Sequence, residues 1–265
     1  MNIENCKTNS LDTAGQRGLS GCVLKMIAVV SMLVDHTAAS VFGRLIVQMP
    51  AWGPVTGENR SSFLMLYSCL RLIGRMAFPI YCFLLVEGFY HTRNRAKYAL
   101  RLFVFALISE IPFDMALRQS LFDSSHNNVF FTLLIGLISM WGIHVVQTYE
   151  REKEWIILRI LFILVIVFYG CIVAELLHTD YGAAGVIAIL LMYLFYEKRE
   201  LGFGLMVLSL GFLSDVSEFG ALFMLPFIDA YNGTRGRQMK YFFYWFYPVH
   251  LLILGVICML LGLGI

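Results

Sequence analysis

Asp35 and His36 stand side by side within an apolar run, ten and eleven residues after Lys25. Arg71 and Arg75 are four residues apart, a spacing that puts both on one face of a helix. Glu110 and Asp114 repeat that spacing, as do Glu87 and His91, and His250 follows Lys240 by ten residues. An ionisable group in hydrocarbon costs on the order of 2.5–3.5 kcal/mol on insertion scales, so each needs a partner or a purpose. Carboxylate, guanidinium and imidazole at similar depth suit proton transfer and the stabilisation of developing negative charge. The plain alternative is buried ion pairing that fixes helix packing. For any one residue the two readings balance; two carboxylates, two guanidiniums and two imidazoles at one depth favour function. Neighbouring helix residues point about 100° apart, so Asp35 and His36 do not face each other. Asp35 is expected to pair with Arg75, leaving His36 free to take a proton near neutral pH. His250 is the second candidate base. Asn128 and Thr132 share a face and could donate hydrogen bonds. His144 and His178 fall near the ends of apolar runs, and His126 reads as a loop histidine.

The elements that must carry these groups are membrane-spanning helices. Of 265 residues, 59% are hydrophobic and 14% charged, against roughly 25% charged in soluble domains. The apolar residues come in blocks rather than in alternation, and backbone in lipid must satisfy its own hydrogen bonds, so the blocks predict helices. They read as Leu24–Phe42, Cys69–Phe89, Tyr98–Phe113, Val129–Val146, Trp155–Leu177, Gly182–Tyr196, Leu201–Leu213, Phe219–Ile228 and Tyr241–Gly264. The fold class is therefore an all-α polytopic bundle of about nine spans. Leu201–Leu213 and Phe219–Ile228 are short enough to be tilted, broken or re-entrant. The organisation is a polar tail over residues 1–23 and one transmembrane domain over residues 24–265.

Charge placement gives the orientation. With the N-terminus in the cytoplasm, fifteen Lys and Arg residues fall inside (Lys7 and Arg17 in the tail, Arg151, Lys153 and Arg159 farther on) and five outside, among them Arg44, Arg60 and Arg118. The first 21 residues lack the apolar core of a cleavable signal, so the first span is expected to act as an uncleaved anchor. The six cysteines show no metal-ligand spacing, and no metal site is expected. A net charge of +2 gives no reason to expect a nucleic-acid partner.

Several blocks, in order, resemble the TraX family. They are Leu24-Lys25-Met26-Ile27-Ala28 with Met32 and Asp35-His36, then Ile73-Gly74-Arg75-Met76-Ala77-Phe78-Pro79. Glu87-Gly88-Phe89 with His91-Thr92-Arg93 follows, then Ser109-Glu110-Ile111-Pro112-Phe113-Asp114 and Asn128-Val129-Phe130-Phe131-Thr132. Asp180-Tyr181-Gly182, Tyr231-Asn232-Gly233 and Tyr247-Pro248-Val249-His250-Leu251 complete the set. Founding members of the family acetylate the N-terminus of conjugative pilin. The resemblance implies acetyl-CoA as co-substrate, bound from the cytoplasm, and a bacterial inner-membrane location. It also implies transfer by a membrane histidine to an acceptor on the far side, a peptide or pilin amine or a glycan hydroxyl.

In such a reaction His36 would be the base and Arg75 would stabilise the oxyanion or hold Asp35, with His250 the alternative base. CoA carries phosphates, which suit guanidinium forks. The candidates are Arg93, Lys97, Arg101, Arg235 and Arg237, with the turn at Asn232; the same cations are what a charge-biased topology requires in any case. The rival reading is a proton-coupled or small-substrate transporter, whose expected mark is an internal repeat with paired broken helices; the chain shows one pair of short segments without a counterpart. A non-catalytic assembly factor would leave the mid-depth histidines without a task.

Overall fold

The computed structural model describes residues 18–149, 155–237 and 239–264. Most of the 1–23 tail, with Lys7 and Arg17, and also Arg151 and Lys153, lie outside the described residues. The regular structure among the described residues is all helical: no strand forms there, and backbone bridges occur singly at Leu19–Tyr231 and Asn127–Thr179. Five helices are long and apolar enough to cross a membrane.

The chain enters helix α1 (Gly21–Thr37), passes through a π turn at Ala38–Phe42 and continues as α2 (Gly43–Gln48). The unbroken stretch of 28 residues is about 42 Å long at 1.5 Å per residue. The π turn begins two residues after His36, and the Ser40 hydroxyl donates to the His36 carbonyl at 2.6 Å. Next come α3 (Arg60–Gly74) and α4 (Ala77–His91), separated by a turn at Arg75–Met76. The predicted second span therefore starts nine residues too late and misses this break. Hydropathy sees neither, because Arg60–Ser68 is amphipathic and a two-residue turn leaves no apolar gap.

Asn94 caps α5 (Arg95–Phe113) by accepting from the Lys97 N–H at 2.8 Å. Pro112 lies near the end of α5, and the chain leaves it through a second π turn, Asp114–Arg118. Helices α6 (Val129–Tyr149), α7 (Ile156–Leu176), α8 (Gly182–Leu194) and α9 (Arg199–Leu213) follow as antiparallel neighbours. The predicted eighth span is broken, one of the forms its short length allows: Asp215 caps a 3₁₀ stretch, Val216–Met224, which runs into α10 (Leu225–Asp229). The final helix is α11 (Lys240–Leu260), three residues shorter than its predicted span.

The core is built around α4, where Phe83, Phe89 and Ile80 are fully buried with Met140 of α6, Ile189 and Met192 of α8 and Phe203 of α9. Helix α7 is the reverse case: Phe168, Tyr169, Leu176 and most of its other large residues face outwards. Apolar area in water is unfavourable by roughly 25 cal/mol per Å², so this helix belongs in lipid.

The loops that join the spans fall at two ends of the bundle, and each end carries its own cations. One, the basic end, joins the start of α1 to the 230–237 loop, through Leu19 N to Ala230 O at 2.7 Å and Gly21 N to Thr234 O at 2.8 Å. The Arg235 guanidinium there donates to the His91 carbonyl at 3.2 Å. At the other end Arg44, 4% exposed, donates to the carbonyls of Met115, Ala116 and Gly264.

Candidate active site

Two imidazoles from opposite ends of the sequence meet in the middle of the bundle. His36 Nδ1 of α1 lies 2.7 Å from His250 Nε2 of α11, and the two ring planes are within 5° of parallel. His250 Nδ1 lies 2.7 Å from the Phe246 carbonyl oxygen, one helical turn back. A carbonyl oxygen only accepts, so this nitrogen carries the proton and His250 Nε2 presents its lone pair. His36 Nδ1 must then donate to it. What remains is the lone pair of His36 Nε2, the atom a general base needs. Tyr247 stands edge-on to both rings, at centroid distances of 5.9 and 5.8 Å, and Phe246 stacks on His250 at 4.6 Å. The pair is thus fixed in tautomer and orientation, with His36 as the reactive member and His250 as its support.

Asp35 turns the other way, as adjacent helix positions must. It accepts from Arg71 Nη1 at 2.5 Å, so the expected pairing with Arg75 is corrected. Gly74 decides between the two arginines: a Cβ on it would lie 2.1 Å from Asp35 Oδ1, so the carboxylate occupies the place a side chain would need. That contact seats Asp35 against the last turn of α3, where Arg71 reaches it. Arg75, at the turn that follows, is directed to the 3₁₀ segment instead. Its Nη1 lies 3.0 Å from Glu218 Oε1, and its Nε donates to Ser217 Oγ at 3.0 Å. Ser217 in turn donates from its hydroxyl and its N–H to Asp215, which holds that loop carboxylate below its ordinary pKa.

A cavity of about 1060 Å³ joins these groups to the basic end. Asp35, His36, Arg71 and Arg75 line its inner part, together with Asp180 and Tyr181 of the α7–α8 turn. Arg93, Arg101, Arg235 and Arg237 line the basic end, with Lys25 beside them. Four of the six cofactor candidates therefore converge on one mouth. Lys97 does not: it is exposed on the first turn of α5, away from the cavity wall. Asn232 is also absent from the wall. Its side chain accepts from the Thr234 N–H and hydroxyl at 3.0 and 2.6 Å, so it shapes the turn that presents Arg235.

Other polar residues bond within or between helices. The Asn128 amide donates to Ala106 O at 2.8 Å and to Glu110, tying α6 to α5 rather than facing the cavity, and Asp114 accepts from the Asp123 N–H at 2.7 Å. Glu87 and His91 interact across one turn, as their spacing predicts, at 3.5 Å. His144 lies between Arg95 at 3.1 Å and Tyr193 at 3.3 Å. Among the described residues no cluster of metal-ligating side chains occurs. Sequence reasoning passed over Glu218, although a carboxylate inside the apolar run 216–228 is the same signal that marks Asp35.

With this geometry in view, the comparisons with known proteins are specific. The profile of the family described as TraX protein matches residues 20–258. The probable fimbrial assembly protein FimC, serogroup H1, of Dichelobacter nodosus is 28% identical over 256 residues. That alignment covers 87% of this chain and 92% of the relative. No solved structure matches.

Proposed function

The chain belongs to the TraX family, and from that premise we propose that it is an integral-membrane acetyltransferase. It moves an acetyl group from acetyl-CoA, bound at the basic end, to an amine or hydroxyl acceptor at or beyond the opposite face. The fimbrial assembly relative makes a pilin-like peptide the first acceptor to try, with glycan hydroxyls second. In this reading the basic end is cytoplasmic, the chain crosses a bacterial inner membrane nine times, and the 3₁₀ segment with α10 is the eighth crossing.

The observation that carries the proposal is one continuous cavity, lined by guanidinium groups at its mouth and by His36 farther in. The eleven residues from Lys25 to His36 rise about 16 Å, a distance the pantetheine arm of CoA can span with its phosphates left among the arginines. His36 Nε2 accepts the proton of the attacking amine or hydroxyl and returns it to the departing thiolate. Its Nδ1–H stays on His250, which supports the imidazolium as it forms. Arg75, anchored by Glu218 and Ser217, offers its guanidinium to the carbonyl oxygen as negative charge develops.

Purified protein in detergent, given acetyl-CoA and a synthetic pilin N-terminal peptide or glycan acceptor, should yield an acetylated product by mass spectrometry. CoA alone should raise the Tm, because a ligand that binds only the folded state stabilises it. Folded protein that shows no shift with millimolar CoA and no product would sink the acetyltransferase reading.

A further inference from the structure

Between its basic mouth and the histidine pair the cavity wall includes the apolar side chains of Leu85, Leu102 and Leu133. Three tyrosines interrupt them: Tyr81 from α4, Tyr98 from α5 and Tyr244 from α11. The hydroxyl of Tyr231, also on the wall, is turned to Glu87. Those of Tyr81, Tyr98 and Tyr244 make no hydrogen bond among the described residues. All three side chains are half-buried, so the hydroxyls are reached from the cavity. A phenol facing such walls is satisfied only by water or by a ligand.

Their heights form a series. Tyr98 is at the mouth, packed across Gly88, where a Cβ would lie 2.8 Å from its hydroxyl. Tyr81 lies six residues before Glu87, about 9 Å along α4, and four residues after the start of that helix at Ala77. Tyr244 lies six residues, again about 9 Å, before His250. The Tyr244 ring stacks on Phe105 at 4.9 Å, and the Arg101 guanidinium, itself on the cavity wall, sits 5.7 Å over the Tyr98 ring. A ligand that matches this wall is slender, uncharged and furnished with hydrogen-bonding groups at intervals.

We propose that Tyr81, Tyr98 and Tyr244 are the subsite for the neutral, amide-bearing arm of the donor, separate from the arginines that take its phosphates. This rests on the acetyl-CoA reading above. The tyrosines align the arm by donating to its amide carbonyls, so the thioester arrives at His36 Nε2 in one register. They act as positioning residues and exchange no proton with the reacting atoms.

The test is calorimetric binding to purified full-length protein, with CoA and with adenosine bisphosphate, the nucleotide half of CoA that lacks the arm. The ratio of the two affinities isolates what the arm contributes. Tyr81→Phe and Tyr244→Phe, each made singly so that the fold is least disturbed, should each lower CoA affinity about two- to tenfold, the range for one neutral hydrogen bond. Adenosine bisphosphate should bind both variants as it binds the wild type. Arg93→Ala and Arg235→Ala should instead weaken both ligands together. An unchanged ratio in both tyrosine variants overturns the subsite while leaving the acetyltransferase reading intact. Wild-type protein that binds neither probe overturns the acetyl-CoA reading, and this subsite with it.

Discussion

His36 and His250 are equivalent as residue types, and hydrogen bonding alone makes them unequal. With the His250 Nδ1–H held by Phe246 O at 2.7 Å, the free lone pair belongs to His36. His36→Ala should therefore abolish acetyl transfer, a loss of about 10²–10⁴-fold for a general base, while CoA still raises the Tm. His250→Ala should cost less, and His250→Gln less again, since an amide oxygen can accept from His36 Nδ1 where a methyl cannot. Rates from a matched acetyl-CoA series decide the point; a dead His250→Ala beside an active His36→Ala reverses the two roles. The arginines make a second contrast. Arg71→Ala strands the Asp35 carboxylate, whose side chain is 16% exposed, and should lower stability by about 1–3 kcal/mol. Adding Asp35→Asn removes the stranded charge and should restore much of the lost Tm. Arg75→Lys leaves one point charge where Nε and Nη1 now serve Ser217 and Glu218 separately, so acetyl transfer should fall with CoA affinity unchanged.

At the scale of elements, the site depends on how two long helices are interrupted. The turn at Arg75–Met76 lets α3 and α4 present successive arginines to different partners, Asp35 of α1 and Glu218 of the 3₁₀ segment. A continuous helix would hold both on one face. Gly74 is the hinge of this arrangement because Asp35 fills the space of its missing side chain. Gly74→Ala should force the carboxylate off Arg71 and destabilise the protein by about 1–3 kcal/mol, the usual cost of overpacking. Gly57, with nothing within 4 Å of its would-be Cβ, is the control, and Gly57→Ala should leave the Tm unchanged. A Tm for Gly74→Ala equal to that of Gly57→Ala would mean that the α1–α3 contact can open without consequence.

For the molecule as a whole, the separation of cations to one end and the cavity that opens there are a single fact about direction. If the basic end is cytoplasmic, Lys97→Cys in a cysteine-free background should resist a membrane-impermeant thiol reagent in intact cells. Gly57→Cys, in the loop before α3, should react. Labelling in the opposite sense would place the arginine mouth outside, away from the cytoplasmic pool of acetyl-CoA, and would defeat the proposed donor route.

Much of this was legible in the chain before any fold. Hydropathy and helical rise are local properties, so they determined that the chain is all-helical with several helices apolar enough to cross a membrane, and that Asp35, His36 and His250 stand ten or eleven residues along their helices from a lysine. The family blocks were legible for the same reason, being contiguous residues in fixed order. Partner choice was not legible, because it depends on how each helix is rotated and where it breaks. Spacing could say that Arg71 and Arg75 share a face, but only the packing of Gly74 on Asp35 and the turn after it decided which arginine took the carboxylate. Glu218 joined the site through a 3₁₀ winding that a 3.6-residue period does not describe. The contact of His36 with His250 spans 214 residues of sequence. It exists because α1 and α11 pack side by side, and that closure is a property of the tertiary structure alone.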